Sequence, residues 1–302
     1  MKNFYVAATA VVAVAAVGSA DAADLPVKAP GPVLPAWSWT GCYGGVNAGW
    51  VDIRNAADLS PGGLYRTATG ALPPPNIQGT GDFLVDVLAL SHSYVTWNSG
   101  WEAGVQVGCN YQMGVVVAGV EADWQWTSAK ALADASFAAF PNMGSPFFTN
   151  QAHTEHVDLS QKWLATARAR LGFTPWERVL VYGTAGVAWA DFESNTNVTF
   201  ATTGSPFAVY NGAIHTGSAS TTKFGAVLGG GVEWALTNNW TVKAEYLYLW
   251  FDGITYASPL VAAAVPFALG YQWNTAMNER EQIVRVGVNY KFDWSGPIVA
   301  KY

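Results

Sequence analysis

Eight stretches of this chain alternate apolar and polar residues with a period of two, and the one charge on an apolar parity is Asp52, the last residue of the first stretch. Period two is the signature of a β-strand, whose successive side chains point to opposite faces. In residues 162–173, Trp163, Ala165, Ala167, Ala169, Leu171 and Phe173 alternate with Thr166, Arg168 and Arg170. In the last stretch, 284–292, Val284, Val286, Val288, Tyr290 and Phe292 stand opposite Arg285, Asn289 and Lys291. The others are 40–52, 100–111, 114–126, 179–189, 224–234 and 240–250. Stretch 179–189 is apolar on both parities, so alternation does not fix its facing.

The polar parity collects Glu102, Glu121, Asp123, Glu233 and Glu245 against Arg168, Arg170, Lys243, Arg285 and Lys291, five acids and five bases. An Arg or Lys facing lipid at mid-membrane costs about 2–4 kcal/mol, so one-sided exclusion of charge is what a lipid boundary imposes. Composition agrees: 12% of residues are charged, against about 25% in a soluble domain, while aromatics reach 14% with 15 Trp. Beyond the first two dozen residues no stretch is apolar enough for a spanning helix. Without such helices, a chain whose surface suits lipid must satisfy its backbone groups in a closed barrel. The expected fold is all-β: an eight-stranded antiparallel up-and-down transmembrane β-barrel. A net charge of −6 argues against a nucleic-acid partner, which calls for a basic patch.

Lys2, the apolar stretch 4–17 and the small-x-small site Ala20-Asp21-Ala22 read as a secretory signal peptide over 1–22. A leader over 23–38 contains Pro26, Pro30, Pro32 and Pro35 and cannot be helical. The barrel is expected over 39–292, with a periplasmic extension over 293–302. Connections alternate in length. Those at 112–113, 174–178 and 236–239 are short, and those at 53–99, 127–161, 190–223 and 251–281 are long. Short turns are periplasmic and long loops extracellular in outer-membrane barrels, so both barrel ends face the periplasm. Trp50, Trp101, Trp124, Trp126, Trp163, Trp189 and Trp250 then fall near the outer rim, and Trp39, Tyr111, Trp234, Trp240 and Phe292 near the inner. Two aromatic girdles are the expected reading.

Several motifs resemble those of a known family. They are Ala22-Ala23-Asp24-Leu25-Pro26 at the processing region, Trp39-Thr40-Gly41-Cys42-Tyr43-Gly44-Gly45 at the first strand, the run from Trp163 to Gly172, and the run from Val286 to Phe292. The chain resembles the small outer-membrane immunogenic, porin-like proteins of Gram-negative bacteria, akin to haemin-binding outer-membrane proteins. That resemblance implies a barrel like the transmembrane domain of outer membrane protein A, located in the outer membrane. One departure is that the chain continues for ten residues past Phe292.

The interior charges are the strongest functional candidates, either as a salt-bridge network filling the lumen or as the lining of a narrow water path. Cys42 and Cys109 share the lipid-facing parity on neighbouring strands, and a cross-strand disulfide between them is expected; two free thiols are the alternative. All four histidines, His92, His153, His156 and His215, are read as lying in external loops. His153-Thr154-Glu155-His156 is a weak candidate for metal or haem ligation, with solvated histidines the plainer reading. No phosphate loop or clustered Cys/His site appears, and Ser91-His92-Ser93 has no placed acid partner, so no catalysis and no cofactor are expected. The expected role is a structural, surface-exposed barrel contributing to envelope integrity. The alternatives are a narrow porin for small solutes and a haem or ligand receptor. The expected partners are outer-membrane lipid, lipopolysaccharide and, through the last strand, the barrel-assembly machinery, with the barrel a monomer.

Overall fold

The computed structural model describes residues 37–63, 91–138, 152–201, 212–262 and 271–292. The stretch read as a signal peptide, most of that read as a Pro-rich leader and the residues past Phe292 lie outside the described residues. The described residues form ten strands: β1 Gly41–Gly63, β2 His92–Met113, β3 Val116–Thr127, β4 Lys130–Phe137, β5 His153–Trp176, β6 Val179–Phe200, β7 Ile214–Ala235, β8 Trp240–Phe251, β9 Ile254–Ala262 and β10 Tyr271–Lys291. After a break at Ser128-Ala129, β4 continues the line of β3 and pairs with the same neighbour, β5. After a break at Asp252-Gly253, β9 continues β8 between β7 and β10. Taking β3 with β4 and β8 with β9 as single staves gives a ring of eight.

Every pairing is antiparallel, and the ring closes where β10 pairs with β1 along its whole length, from Tyr43↔Lys291 to Gly63↔Tyr271. Closure gives every strand two neighbours and removes the free edges that hydrocarbon could not satisfy. Short connections join β2 to β3, β5 to β6 and β7 to β8, as the spacing predicts.

The staves are much longer than the alternating stretches. β5 has 24 residues, β1 has 23 and β10 has 21. Much of what reads as long loops at 53–99, 127–161, 190–223 and 251–281 is therefore continued strand. The physical reason lies in a reversal of polarity along each stave. In the lower part, Val46, Trp50, Val105, Trp126, Leu171, Trp189, Phe224, Leu228, Trp250, Val284 and Val286 face outward and are exposed. Just above the tryptophans the outward face turns polar: Asp52 and Asp58 on β1, Ser93 and Ser99 on β2, Ser218 on β7, Asn278 and Arg280 on β10 are all exposed. In that upper region the apolar side chains point inward. Val51, Ile53, Leu59, Leu159, Phe192, Val198, Phe200, Leu247, Leu249, Phe251, Met277 and Ile283 form one buried cluster. Complete burial of a Leu or Phe contributes about 1.5–3 kcal/mol, so the upper half is held as a water-soluble barrel would be. Val95, Trp97 and Leu132 are apolar exceptions on the upper outer face; Arg54 lies over the Trp97 ring at 5.7 Å.

The reversal marks the outer edge of the lipid belt. On β10 the lipid-facing residues are then Val284 to Phe292, about the length that spans the hydrocarbon at a barrel's tilt. Val286→Arg is expected to destabilise the barrel by about 2–4 kcal/mol in urea unfolding from lipid vesicles. Asn278→Arg, on the same outward face above the belt, is expected to stay within about 0.5 kcal/mol.

Candidate functional site

The lumen at membrane level is filled by charge. Arg168 on β5 reaches three carboxylates: Asp123 at 2.7 Å, Glu245 at 2.9 Å, and Glu121 in closer contact still. Arg285 on β10 joins Asp123 at 3.0 Å and Glu245 at 2.7 Å. Lys243 donates to Glu121 at 2.7 Å, and Arg170 pairs with Glu233. These eight side chains are at most 2% exposed. The strand period places them: each stands at an inward position, and the tube has no room for them except against one another.

Neutral groups complete the packing. Tyr43 donates to Glu121 at 2.6 Å and accepts from Arg170 at 2.9 Å, while the Arg170 guanidinium lies 3.7 Å from the centre of the Tyr182 ring. Glycines make the space. A Cβ on Gly231 would sit 2.8 Å from the Tyr182 hydroxyl, and one on Gly108 would collide with that of Tyr43. Asn47, Gln106 and Asn289 form a hydrogen-bonded chain that ends on Glu233.

Two expected members stand apart from this network. Glu102 is buried and forms no ion pair among the described residues; it lies just above the network, toward the apolar half. Lys291 sits at the periplasmic mouth, where its ammonium reaches the Ser38 carbonyl and lies 4.8 Å from the centre of the Trp37 ring. The cause is position: Lys291 is the last residue of β10, beneath the plane of the network. Trp39 is corrected as well. It is 3% exposed and packs with Val117, Leu180, Tyr182 and Ala235 to cap the periplasmic mouth, so it does not belong to the inner girdle. Its indole donates to the Glu177 carbonyl at 3.2 Å.

Cys42 and Cys109 are direct cross-strand partners and form a disulfide, with an S–S distance of 2.04 Å, on the outer face near Phe292. The histidines are not loop residues. All four lie on strands that rise above the lipid belt, and His153 and His215 are buried. Burial drives the pKa of His215 down to about 4. His153 and His156 do not form a ligand pair, because three residues along a strand reverse the facing. His153 points inward, whereas His156 points out to the exposed Asp134. What His153 meets instead is Glu155 at 3.1 Å, and His92 meets the same carboxylate oxygen at 3.2 Å.

The alternating stretches also stop short of three buried acids, Glu155, Glu279 and Glu281. On β10 the apolar phase flips at Ile283-Val284, and following that flip toward the start of the strand is the signal that would have found Glu279 and Glu281. Glu155 is hidden by the shift in β5 between Gln161 and Trp163, which puts its inward position on the parity that is apolar below.

A family model described as outer membrane protein beta-barrel domain matches residues 9–292. The chain belongs to this outer-membrane β-barrel family. It is 33% identical to 31 kDa outer-membrane immunogenic proteins of Brucella melitensis and Brucella suis, over 91% of this chain and 94% of theirs. A 22 kDa outer membrane protein of Rhizobium leguminosarum is 26% identical over 86% of this chain and 82% of its own. Among solved structures, the OmpT outer membrane protease of Escherichia coli covers 86% of this chain and 99% of its own at TM-score 0.43 and 9% identity. Ail of Yersinia pestis covers 84% and 99% at TM-score 0.29 and 13% identity. At those scores neither structure adds to the family assignment.

As a member of this family, the chain is an outer-membrane protein whose lumen chemistry divides by height. Below the tryptophans, charges neutralise one another. Above them, Glu279 is buried with both carboxylate oxygens unpaired, and Glu281 accepts one hydrogen bond, from Gln161 at 2.8 Å. Burial pushes Glu279 up to about 9 and Glu281 up to about 8.

Removing one partner of a buried charge cluster leaves the others uncompensated, so Arg168→Ala is expected to cost about 3–5 kcal/mol in urea unfolding. Glu279 acts in the opposite sense. Its folded pKa is raised, so its contribution is intact below the unfolded value of a free carboxyl and is lost as pH rises toward 9. Glu279→Gln is therefore expected to raise the urea midpoint at pH 8 and leave it unchanged near pH 4.

Proposed function

We propose that this protein is a structural, non-catalytic and non-conducting barrel that contributes to envelope integrity and presents its upper staves at the cell surface. The observation that supports this reading most directly is the neutralised network around Arg168. Guanidinium groups stacked against carboxylates and tyrosines take up the cross-section a solute would need. Conduction calls for sites weak enough to release what they bind. A cation held by three carboxylates is committed to them. The apolar cluster above the network and the Trp39 cap below it add two further closures on the same axis.

Relatives named as immunogenic outer-membrane proteins support the surface role. In this chain the surface offered is strand as well as connecting loop. Asp52, Asp58, Asn197, Thr199, Ser218 and Arg280 stand on the exposed outer face above the lipid belt. None of the described lumen charges is arranged as a nucleophile with an adjacent general base.

The refolded full chain is expected to give no step currents in planar lipid bilayers and no liposome swelling with small sugars. Reproducible unitary steps from protein that migrates as a folded barrel would overturn the non-conducting reading. Cells lacking the protein are expected to become more sensitive to detergent.

A further inference from the structure

Near the top of the barrel, two staves that are not neighbours in the ring bring three metal-ligating side chains together. His92 is the first residue of β2, and His153 and Glu155 are inward positions at the start of β5. One nitrogen of each imidazole and one oxygen of the carboxylate all lie within 4.8 Å of one another. We infer that His92 Nδ1, His153 Nε2 and Glu155 Oε1 form a binding site for a divalent transition metal of the zinc class.

The distances suit such an ion. Two ligand atoms each about 2.0–2.1 Å from a tetrahedral zinc stand about 3.3 Å apart. The two nitrogen-to-oxygen edges here are 3.2 and 3.1 Å. Seating the ion then requires mainly that the two imidazole nitrogens close toward each other. Two imidazoles with one carboxylate favour zinc and its transition-metal neighbours, whereas calcium and magnesium call for all-oxygen sets. Three protein ligands leave a fourth position for water.

The surroundings hold the ligands in place. Tyr94 donates its hydroxyl to the second oxygen of Glu155, which turns the first oxygen toward both imidazoles. Groups of this kind orient metal ligands throughout metalloproteins. The His92 ring stacks on Phe137 with centroids 3.7 Å apart, and His153 lies between Phe137 at 4.8 Å and Phe200 at 4.9 Å. Trp273 completes the apolar wall at 6.1 Å from His153. An ion bound here ties β2 to β5 across the inside of the barrel, above the lipid belt, where lipid no longer supports the ring.

Isothermal titration of the refolded full chain in detergent with zinc chloride tests the site. One equivalent per chain is expected, with a rise in melting temperature, and cobalt(II) is expected to give the visible absorption of a tetrahedral ion. Tyr94→Phe should weaken zinc binding by about 10–100-fold as an orienting residue. His92→Ala, His153→Ala and Glu155→Gln should each weaken it at least as much. His156→Ala, on the outward face, should leave it unchanged. Each variant is checked as a folded barrel by its heat-modifiable migration and circular dichroism. No saturable binding by the folded parent chain would overturn the inference. So would binding that survives loss of both His92 and His153, or that falls equally with His156→Ala. Should the ligand variants misfold, the cobalt spectrum of the parent chain decides alone, and a purely octahedral signal counts against the site.

Discussion

Four cations and four carboxylates share the narrow inside of this barrel with little water to screen them, and most of the lower half is arranged around that fact. An isolated charge transferred to such surroundings carries a penalty of several kcal/mol, so no single member is dispensable. Arg168 alone serves carboxylates from β3 and β8, and Arg285 joins the same two strands from β10. The network therefore works as a crosslink between staves distant in sequence, on top of the backbone ladder. Its demands reach into residues that carry no charge. The glycines beside Tyr43 and Tyr182 exist as open space for phenols that hold Arg170, and Asn47, Gln106 and Asn289 carry a polar chain to Glu233.

How far the sequence shows the structure follows from where lipid acts. Within the belt an outward charge is excluded, so residues such as Ala165, Ala167 and Ala169 against Arg168 and Arg170 betray both strand and facing. Above the belt the outer face meets water and the inner face becomes the apolar one. On β1 the apolar parity passes from Val46, Ala48 and Trp50 to Val51, Ile53 and Leu59. Two adjacent apolar residues at the switch break the alternation, and a period-two reading ends the strand there. The same break hides the start of β10 and the end of β6. On β5 the ladder itself shifts between Gln161 and Trp163, which separates the lower facing from the upper. His153 thus reads as one of a loop pair with His156, while its neighbour in space His92, on a stave that does not adjoin its own, is invisible to spacing.

The two halves solve different problems with one backbone. The lower half is apolar outside and charged inside; the upper half is polar outside and apolar inside, with a few buried acids and histidines set into it. Each half would be unstable in the other's surroundings. The tryptophan ring at the junction suits both, since an indole presents an apolar body and one polar N–H. A vertical slip by one residue pair would carry Asp52 into hydrocarbon. The barrel's height in the membrane is fixed by side-chain chemistry at a single level.

The seam between β1 and β10 has a kinetic meaning. Tyr43 and Lys291 are register partners although almost the whole barrel sequence lies between them. Contacts so remote along the chain are the slowest to form, because loop-closure entropy is spent before any pairing returns it. Synthesis runs from β1 toward β10, so the edge of β1 must wait for the final strand to exist. During that interval its amides and carbonyls are a template for any other strand. The disulfide from Cys42 to Cys109 already secures the other flank of β1. Zippering of the ring can therefore finish at one place, and safe folding depends on keeping that one edge covered until β10 arrives.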